Sequence, residues 1–294
     1  MGSQFTHHTS RIILIRNAKE FVTMSFPMTQ IGGVDVSRLI IGSNTFHGHS
    51  HFSAARSEWL REYFTDDKVI EVLTACVEEG LNCTVALQRK DYANQISQVE
   101  KATGKKIHYI ATPAGKTLDD LKVGIRAAAD LGCTFCFPHT SWTDSRVLPA
   151  ENRIVEAPEA LAYIRECGMI PGWSTHRPET VTVSDRNGYD AESYIQIFNS
   201  VGFLCAVETD WTARLIQNTP KPVVCIKPLG SGRVMVPNGL GFVYANIKPI
   251  DTVAIGMLSV QEAKEDIEIA RQCIDRQQID VELQYTRSKD VITK

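Results

Sequence analysis

The stretch LIIGSNTFHGHSHF, residues Leu39–Phe52, contains the pattern that decides the fold. It opens with the apolar run Leu39–Ile41, which ends at Gly42 and is typical of a buried strand. The chain then enters a polar loop that carries several histidines. Parallel α/β folds deliver functional groups in this way, at the carboxyl ends of their strands.

The polar loop contains His47, His49 and His51, with one residue between each pair. Neutral imidazole nitrogens bind divalent metals, so these three residues are candidate metal ligands. The alternative is an exposed loop whose histidines share no function, because a His-x-His pattern is short and arises by chance. The loop by itself leaves both interpretations open.

The composition indicates a globular protein with one large core. The chain has 294 residues, of which 43% are hydrophobic, enough for a single α/β barrel or two smaller domains. A net charge of −3 without a basic stripe argues against a nucleic-acid partner. No apolar run reaches the roughly 18 residues that span a bilayer, and the polar start is not a secretory signal. We therefore expect a cytoplasmic protein with a small-molecule substrate and no membrane partner, and a homo-oligomer remains open.

The eight cysteines are scattered, mostly within apolar segments, which favours reduced thiols over a disulfide framework. Cys133 and Cys136 have the spacing of a redox or zinc pair. However, no second pair accompanies them, and they fall within a predicted strand, where residues three apart face opposite sides. We interpret them as structural.

Seven further apolar runs follow the first strand, and helical patterns separate them. The predicted strands are 39–43, 82–87, 107–111, 134–137, 169–173, 193–198, 223–226 and 253–255. The predicted helices include 66–79, 93–103, 118–131, 158–167, 178–186, 203–217 and 260–273, and residues 53–63 are predicted as a loop with one helical turn. A Gly-Gly pair within 28–39 predicts a β-hairpin before the first strand.

Strands that alternate with helices form parallel sheets with crossover connections. Eight such units in a chain of this length predict an α/β protein with a (β/α)₈ TIM barrel, preceded by the N-terminal hairpin. No linker or change in composition divides the chain. We therefore predict one barrel domain over 28–280, an N-terminal extension over 1–27 and a C-terminal tail over 281–294.

Functional groups of such a barrel gather at the carboxyl ends of its strands. Histidine-bearing loops follow the first, fourth and fifth predicted strands, so His51, His139 and His176 are expected on one rim. Lys227 ends the seventh strand, where it could act as a base, a Schiff-base former or an anion contact. These four are the candidate catalytic residues. The alternatives are a salt bridge for the lysine and loop positions satisfied by backbone groups for the histidines.

The loop after the seventh strand contains Gly230, Ser231, Gly232 and Arg233. Its unobstructed backbone N–H groups and its guanidinium suit a phosphate group. Barrels often bind phosphate after the seventh strand. A Gly-Ser-Gly turn is by itself a weak signal.

Several of these segments resemble the aldo-keto reductase superfamily, over most of the chain. They are IGGVDVSRLIIGSNTF at 31–46, GLN at 80–82, STH at 174–176, SYIQIF at 193–198, KPLGSGR at 227–233 and VAIGMLSVQEAKED at 253–266. The resemblance implies the same barrel and a nicotinamide site, so that NADP joins a divalent metal as a candidate cofactor. The implied cofactor-binding residues are Asn44, Ser174, Gln196, Gly230, Ser231, Gly232 and Arg233.

The chain departs from that family at most of the residues on which its chemistry depends. The family uses a tyrosine, a lysine, an aspartate and a histidine, but Val85 and Pro113 replace the aspartate and the lysine. Tyr92 lies near the place of the tyrosine without its usual surroundings, and His139 matches the histidine. Without the lysine and aspartate the pKa of a tyrosine would not be lowered. We therefore expect no ordinary carbonyl reductase activity.

Three functions remain open on the sequence alone. The first is an enzyme with a rebuilt His/Lys site for a small polar or phosphorylated molecule, with or without a metal. The second is an NAD(P)-dependent oxidoreductase with non-standard acid and base residues. The third is a non-catalytic barrel that binds a ligand.

Overall fold

The computed structural model describes residues 25–279, together with residues 281, 288 and 291. The predicted extension up to residue 24, and most of the predicted tail, lie outside these residues. The strands are β1 Met28–Ile31, β2 Val34–Ser37, β3 Leu39–Gly42, β4 Cys83–Ala86, β5 His108–Ala111, β6 Phe135–Cys136, β7 Val147–Leu148, β8 Arg153–Ile154, β9 Ile170–Pro171, β10 Trp173–Thr175, β11 Tyr194–Ile197, β12 Val223–Ile226 and β13 Thr252–Ile255. The helices are α1 Ala54–Tyr63, α2 Asp66–Glu78, α3 Lys90–Thr103, α4 Leu118–Asp130, α5 Thr140–Thr143, α6 Ala157–Glu166, α7 Glu179–Arg186, α8 Thr209–Asn218, α9 Val236–Asn246 and α10 Val260–Ile274.

The main sheet is a nearly closed parallel barrel of nine strand segments. Its order is β10, β11, β12, β13, β3, β4, β5, β6 and β9, and every neighbouring pair is parallel. The two end segments, β9 and β10, are consecutive in the chain and separated by Gly172 alone. They are therefore two halves of one interrupted strand, and the predicted (β/α)₈ barrel is confirmed.

The predicted hairpin is also confirmed, and it closes the amino end of the barrel. Strands β1 and β2 pair antiparallel. Ile31 and Val36 are fully buried and belong to the same core cluster as the barrel residues Ile40, Cys83 and Ile110. Because the hairpin fills this end, open space remains at the carboxyl ends of the strands.

The presence of glycine at position 172 has a steric cause. A Cβ added to this residue would lie 2.5 Å from both the Ser193 carbonyl oxygen and the Phe137 ring. The neighbouring strand and the buried ring approach the backbone so closely that only glycine fits.

We expect Gly172→Ala to lower the free energy of unfolding by about 2–3 kcal/mol, because the extra methyl overpacks the barrel interior. Urea denaturation monitored by circular dichroism would measure this loss. Gly241→Ala is the matched control, since a Cβ there would have its nearest neighbour at 3.7 Å, within ordinary contact distance. An equal change in both variants would contradict this steric explanation for the glycine at position 172.

One predicted helix begins later than expected. The segment from 203 to 208 is a loop, and α8 starts at Thr209. The Asn199 side chain accepts the Phe203 N–H at 2.8 Å and donates to the Phe203 carbonyl at 3.0 Å, while Leu204 has a φ of 57°. These side-chain bonds hold the backbone in a non-helical turn.

Helix α1 is longer than predicted, and helices α5 and α9 were not predicted. Residues 53–63 form the ten-residue helix α1, whose Ser53 side chain accepts the Arg56 N–H as an N-cap. Helix α9 was not predicted, since its sequence contains Pro237 and two glycines. Among the described residues, no helix combines the length and apolar character needed to cross a bilayer.

Candidate functional site

A cavity of about 670 Å³ opens at the carboxyl ends of the barrel strands. Apolar side chains of four strands line its floor, namely Val85, Ile195, Ile226 and Ala254. Its rim is polar and comes from the loops that follow the strands. The cavity therefore has an apolar floor and a polar rim, which is the usual form of a small-molecule site.

The structure brings most of the predicted residues to this cavity, but not all of them. Those that line it are Asn44, His49, His51, His139, Ser174, His176, Lys227, Ser231 and Gly232. Those that do not are His47, Gln196, Gly230 and Arg233. All four candidate catalytic residues thus share one cavity, as their places after β3, β6, β10 and β12 predict.

Lys227 leaves β12 in a left-handed backbone conformation, with a φ of 59°. Its carbonyl accepts the Gly230 N–H at 3.0 Å, which anchors the turn. The Nζ atom has no hydrogen-bond or ion-pair partner among the described residues, and burial alone lowers its pKa to about 8. The predicted alternative of a salt bridge is therefore not what the structure shows.

Two other partly buried lysines differ from Lys227 because their ammonium groups have partners. Lys248 lies 2.8 Å from an Asp251 carboxylate oxygen, and Lys221 lies 3.8 Å from Asp185. Each ammonium also donates to a backbone carbonyl. Lys227 has neither kind of partner, so its amine is available to a molecule in the cavity.

His139 presents a defined tautomer. Its Nδ1 atom accepts the backbone N–H of Ser141 at 3.2 Å and lies 2.9 Å from the Ser141 hydroxyl. Because an imidazole nitrogen that accepts an N–H carries no proton, the neutral ring holds its proton on Nε2. Burial lowers the pKa of His139, the Asp144 charge acts in the opposite direction, and the Lys227 charge lowers the pKa further. At neutral pH, His139 is therefore an N–H donor on the cavity wall.

His176 is positioned by Asp144, which follows the fourth predicted strand but was not predicted as a site residue. The Asp144 carboxylate accepts the His176 backbone N–H at 3.1 Å, the Thr175 hydroxyl at 2.5 Å and the Thr140 hydroxyl at 2.6 Å. It therefore ties α5 to the end of β10. Burial, followed by the charge of Lys227, lowers the pKa of His176 to about 4 even though Asp144 acts in the opposite direction.

The histidines of the first loop have separate environments. His51 lines the cavity, and burial followed by the Lys227 charge lowers its pKa to about 4. His47 instead packs edge-on against Tyr92, with ring centroids 5.2 Å apart. No group of three His, Cys, Asp or Glu side chains in the described ranges is placed to hold a metal. Since the three predicted ligands do not assemble, we derive no step through a metal.

Only part of the predicted phosphate loop lines the cavity, and the rest packs against neighbouring residues. Ser231 and Gly232 face the cavity. The Arg233 guanidinium donates to the Gly230 carbonyl at 2.8 Å and lies 4.1 Å from the Phe203 ring centroid. The guanidinium also lies 5.2 Å from the ring centroid of Phe52, which lines the cavity. Arg233 thus holds the loop without lining the cavity itself, and an anion in the cavity would meet the Ser231 hydroxyl instead.

Gln196 lies on the other face of its strand. Ile195 lines the cavity, and neighbouring residues of a strand point to opposite sides, so Gln196 points toward the helices. It is 1% exposed, and its Oε1 atom has no hydrogen-bond partner among the described residues.

Val85 and Tyr92, two of the residues compared above with the aldo-keto reductases, have different surroundings in the structure. Val85 lines the cavity, whereas Tyr92 of α3 is fully buried and does not line it, and its hydroxyl lies 2.6 Å from the Thr84 hydroxyl. Burial raises the pKa of Tyr92. None of the residues that line the cavity is a tyrosine, so the described site lacks a tyrosine acid.

An acidic end of the cavity was missed by sequence reasoning. Glu262 and Asp266 of α10 line it, and Glu262 accepts the Leu258 N–H at 2.5 Å. Asp266 is 3% exposed, and burial, reinforced by the charges of Glu262 and Glu265, raises its pKa to about 8. Its i, i+4 spacing from Glu262 was the only available sequence signal, and such pairs are usual on exposed helices.

The strand order, the terminal hairpin and the cavity at the carboxyl ends define an aldo-keto reductase-like (β/α)₈ barrel. Two solved structures of a protein from Pseudomonas aeruginosa, assigned to the aldo-keto reductases, show this likeness. They align with TM-scores of 0.62 and 0.63 at 14% identity, over 87% and 86% of this chain and 99% of each of theirs. At such identity the likeness concerns the fold.

No protein-family model matches the chain. A comparison with curated proteins gave no match either. The chemistry must therefore be argued from the site itself.

Proposed function

We propose that this protein is an enzyme for a small polar carbonyl compound, with Lys227 as its reactive amine and His139 and His176 as its proton-transferring groups. One observation carries the proposal: a lysine without a partner lies in a cavity on which three histidine-bearing loops converge. Lys221 and Lys248 of the same barrel each have a carboxylate partner, whereas the Lys227 amine remains free for a ligand.

The proposed chemistry follows from the charge states of these groups. With a pKa of about 8, the Lys227 amine is partly neutral near physiological pH and can take up a proton or attack a carbon. The Nε2–H of His139 can donate to the carbonyl oxygen, as a neutral imidazole does when burial prevents its protonation. Proton transfer next to a carbonyl group is the simplest reaction these groups support.

The cavity wall also suggests the other substituents of the substrate. Ser231 offers a hydroxyl to the cavity, whereas the Gly232 N–H is already donated to the Leu229 carbonyl at 3.0 Å. The hydroxyl favours hydroxyl groups or a phosphate ester on the substrate. This agrees with the sequence-based expectation of a small polar or phosphorylated molecule.

The experiment is proton exchange at the carbon next to the carbonyl, followed by NMR in deuterated water. The panel contains glycolaldehyde, dihydroxyacetone and dihydroxyacetone phosphate. Wild-type protein is expected to accelerate exchange of at least one compound, and His139→Phe to reduce the acceleration on the order of 100-fold, the typical contribution of a positioned acid.

Tyr92→Phe is the matched control, because it also removes a proton-donating group but outside the cavity. It should retain the wild-type exchange rate. Binding of the panel compounds without any acceleration would favour the non-catalytic barrel. An equal loss in both variants would show that the effect of His139→Phe is structural.

A second candidate is an oxidoreductase that uses NAD(P). The observation in its favour is the extent of the cavity, which reaches from Lys227 past Gly256 to Asp266, within the segments that resemble the cofactor site. Asn44 and Ser174 line it and could bind a nicotinamide, which when bound would supply hydride. Fluorescence titration with NADH and NADPH tests this candidate, and absence of binding at millimolar concentration would exclude it.

A further inference from the structure

We propose that Lys227 forms a covalent imine with the carbonyl carbon of its substrate, a small hydroxylated aldehyde or ketone. This inference rests on the proposed function, since it concerns the same amine in the same cavity. It goes beyond that function because a base would only exchange protons, whereas an imine holds the substrate on the protein.

The geometry favours attack on carbon over a role as an anion contact. Lys227 projects from a turn in which the Leu229 carbonyl accepts the N–H groups of Gly232 and Arg233, both at 3.0 Å. The turn therefore fixes the start of the side chain. The floor beside it is apolar, with Ile226 and Ala254 in the lining, which disfavours a permanently charged ammonium.

The chemical surroundings supply the remaining requirements. Imine formation needs a donor for the carbonyl oxygen and a neutral group that accepts the proton lost by nitrogen. His139 and His176 line the same cavity, and the Lys227 charge acts on both. The lining contains no carboxylate close enough to Nζ to form an ion pair, which would hold the amine as an ammonium.

The proposed step is balanced. The nitrogen lone pair of Lys227 forms a bond to the carbonyl carbon, and the oxygen takes a proton from His139. A nitrogen proton passes to the deprotonated imidazole. The C–O bond then breaks with uptake of one further proton from solvent, so that a carbonyl, an amine and a proton give a protonated imine and water. The positive charge on this imine withdraws electrons from the neighbouring carbon, which is how it would accelerate proton exchange there.

Reductive trapping tests the imine directly. The full chain is incubated with each of the three panel compounds and sodium cyanoborohydride, which reduces the C=N bond to a stable secondary amine. Intact-mass and peptide analysis then locate the adduct. We expect modification of Lys227 at least about tenfold faster than of any other lysine. Lys221 and Lys248 are held as ammonium groups by carboxylates, Lys68 and Lys122 lie over tyrosine rings, and exposed lysines are fully protonated at pH 7.

Two substitutions separate the alternatives. Lys227→Arg keeps a cation of similar length but cannot form an imine, so the fast adduct should disappear. Lys221→Met removes a comparably buried lysine from the opposite end of β12 and should leave the adduct unchanged. If either variant fails to fold, the site of modification in the wild-type chain still decides the question.

The outcomes distinguish this inference from the proposed function. Exchange without an adduct on Lys227 would overturn the imine and leave the proposed function standing. An adduct on Lys227 without exchange would support the imine and overturn the catalytic proposal. Adducts spread evenly over all lysines, with no exchange, would overturn both.

Discussion

Lys227→Met is expected to lower the rate of catalysed proton exchange by at least about 100-fold, the range found when a positioned base or nucleophile is lost. Methionine has a similar length and fits an apolar wall, so the cavity should keep its shape. The measurement is the same NMR exchange experiment, with the compound that the wild-type protein processes fastest.

The pH dependence of the wild-type protein gives an independent check. The reactive form of Lys227 is the neutral amine, so the exchange rate should rise with pH and level off above about 8. His51 and His176 have pKa values of about 4 and remain neutral throughout this range. Lys227 and Asp266 both line the cavity and both have a pKa of about 8, so the profile from pH 6 to 9 is measured in wild type and in Asp266→Asn to isolate the lysine. A profile that falls above pH 7, or that is unchanged in Lys227→Met, would contradict the role of the lysine.

Loss of activity in Lys227→Met should not reflect unfolding. The pKa of Lys227 is about 8 in the folded protein and about 10.4 in an unfolded chain. Between these values the unfolded chain binds more protons, so the lysine destabilises the fold most below pH 8 and less as the pH rises. Lys227→Met should therefore be more stable than wild type at pH 7, by up to about 3 kcal/mol. Thermal denaturation at pH 7 measures this.

The barrel could be predicted because its signals are local and repeated. The strands from Leu39 and Val223 are buried runs bounded by turns, and helices such as α4 carry their own start signal. Thr117 and Asp120 form the capping box that begins α4. Each signal needs only neighbouring residues, so single-sequence reasoning finds it. The start of helix α8 was predicted too early. The Asn199 side chain holds the preceding loop in a turn, and helix propensity does not report this contact.

For the candidate site, the sequence predicted which residues follow the strands but not where their side chains point. The places of His139, His176 and Lys227 after parallel strands were sufficient to bring them to one rim. Gln196 was expected to bind the cofactor because of the resemblance, but the pleat of β11 turns its side chain away from the cavity. Arg233 was assigned from charge, yet its guanidinium packs against Phe203. Side-chain direction depends on tertiary packing, which spacing alone does not contain.

The acidic end of the cavity leads to the second large expected effect. Asp266 is almost fully buried on α10, and none of the described residues pairs with its carboxyl group. Replacing it with asparagine keeps the shape of the side chain and removes the titration. We expect Asp266→Asn to stabilise the protein strongly at neutral and alkaline pH and to have little effect near pH 4.

The sign of this effect follows from the two pKa values. The carboxyl group has a pKa of about 8 in the folded protein and about 3.9 when unfolded. Between these values the unfolded chain has released the proton while the folded protein retains it. Wild-type stability should therefore fall as the pH rises from about 4 to about 8, by up to about 1.4 kcal/mol per pH unit. At pH 7 the advantage of Asp266→Asn should reach at most about 4 kcal/mol.

Urea denaturation of both proteins at pH 4.5, 6.0 and 7.5 measures the difference. Glu166→Gln is the control, because Glu166 is an exposed carboxylate on a different helix, α6. Its effect should be small at every pH, since solvent already stabilises the charged form. A stabilisation by Asp266→Asn that is equal at pH 4.5 and pH 7.5 would show that the asparagine improves packing instead. A destabilisation that grows with pH would show that the carboxylate is ionised and favourably paired in the folded protein.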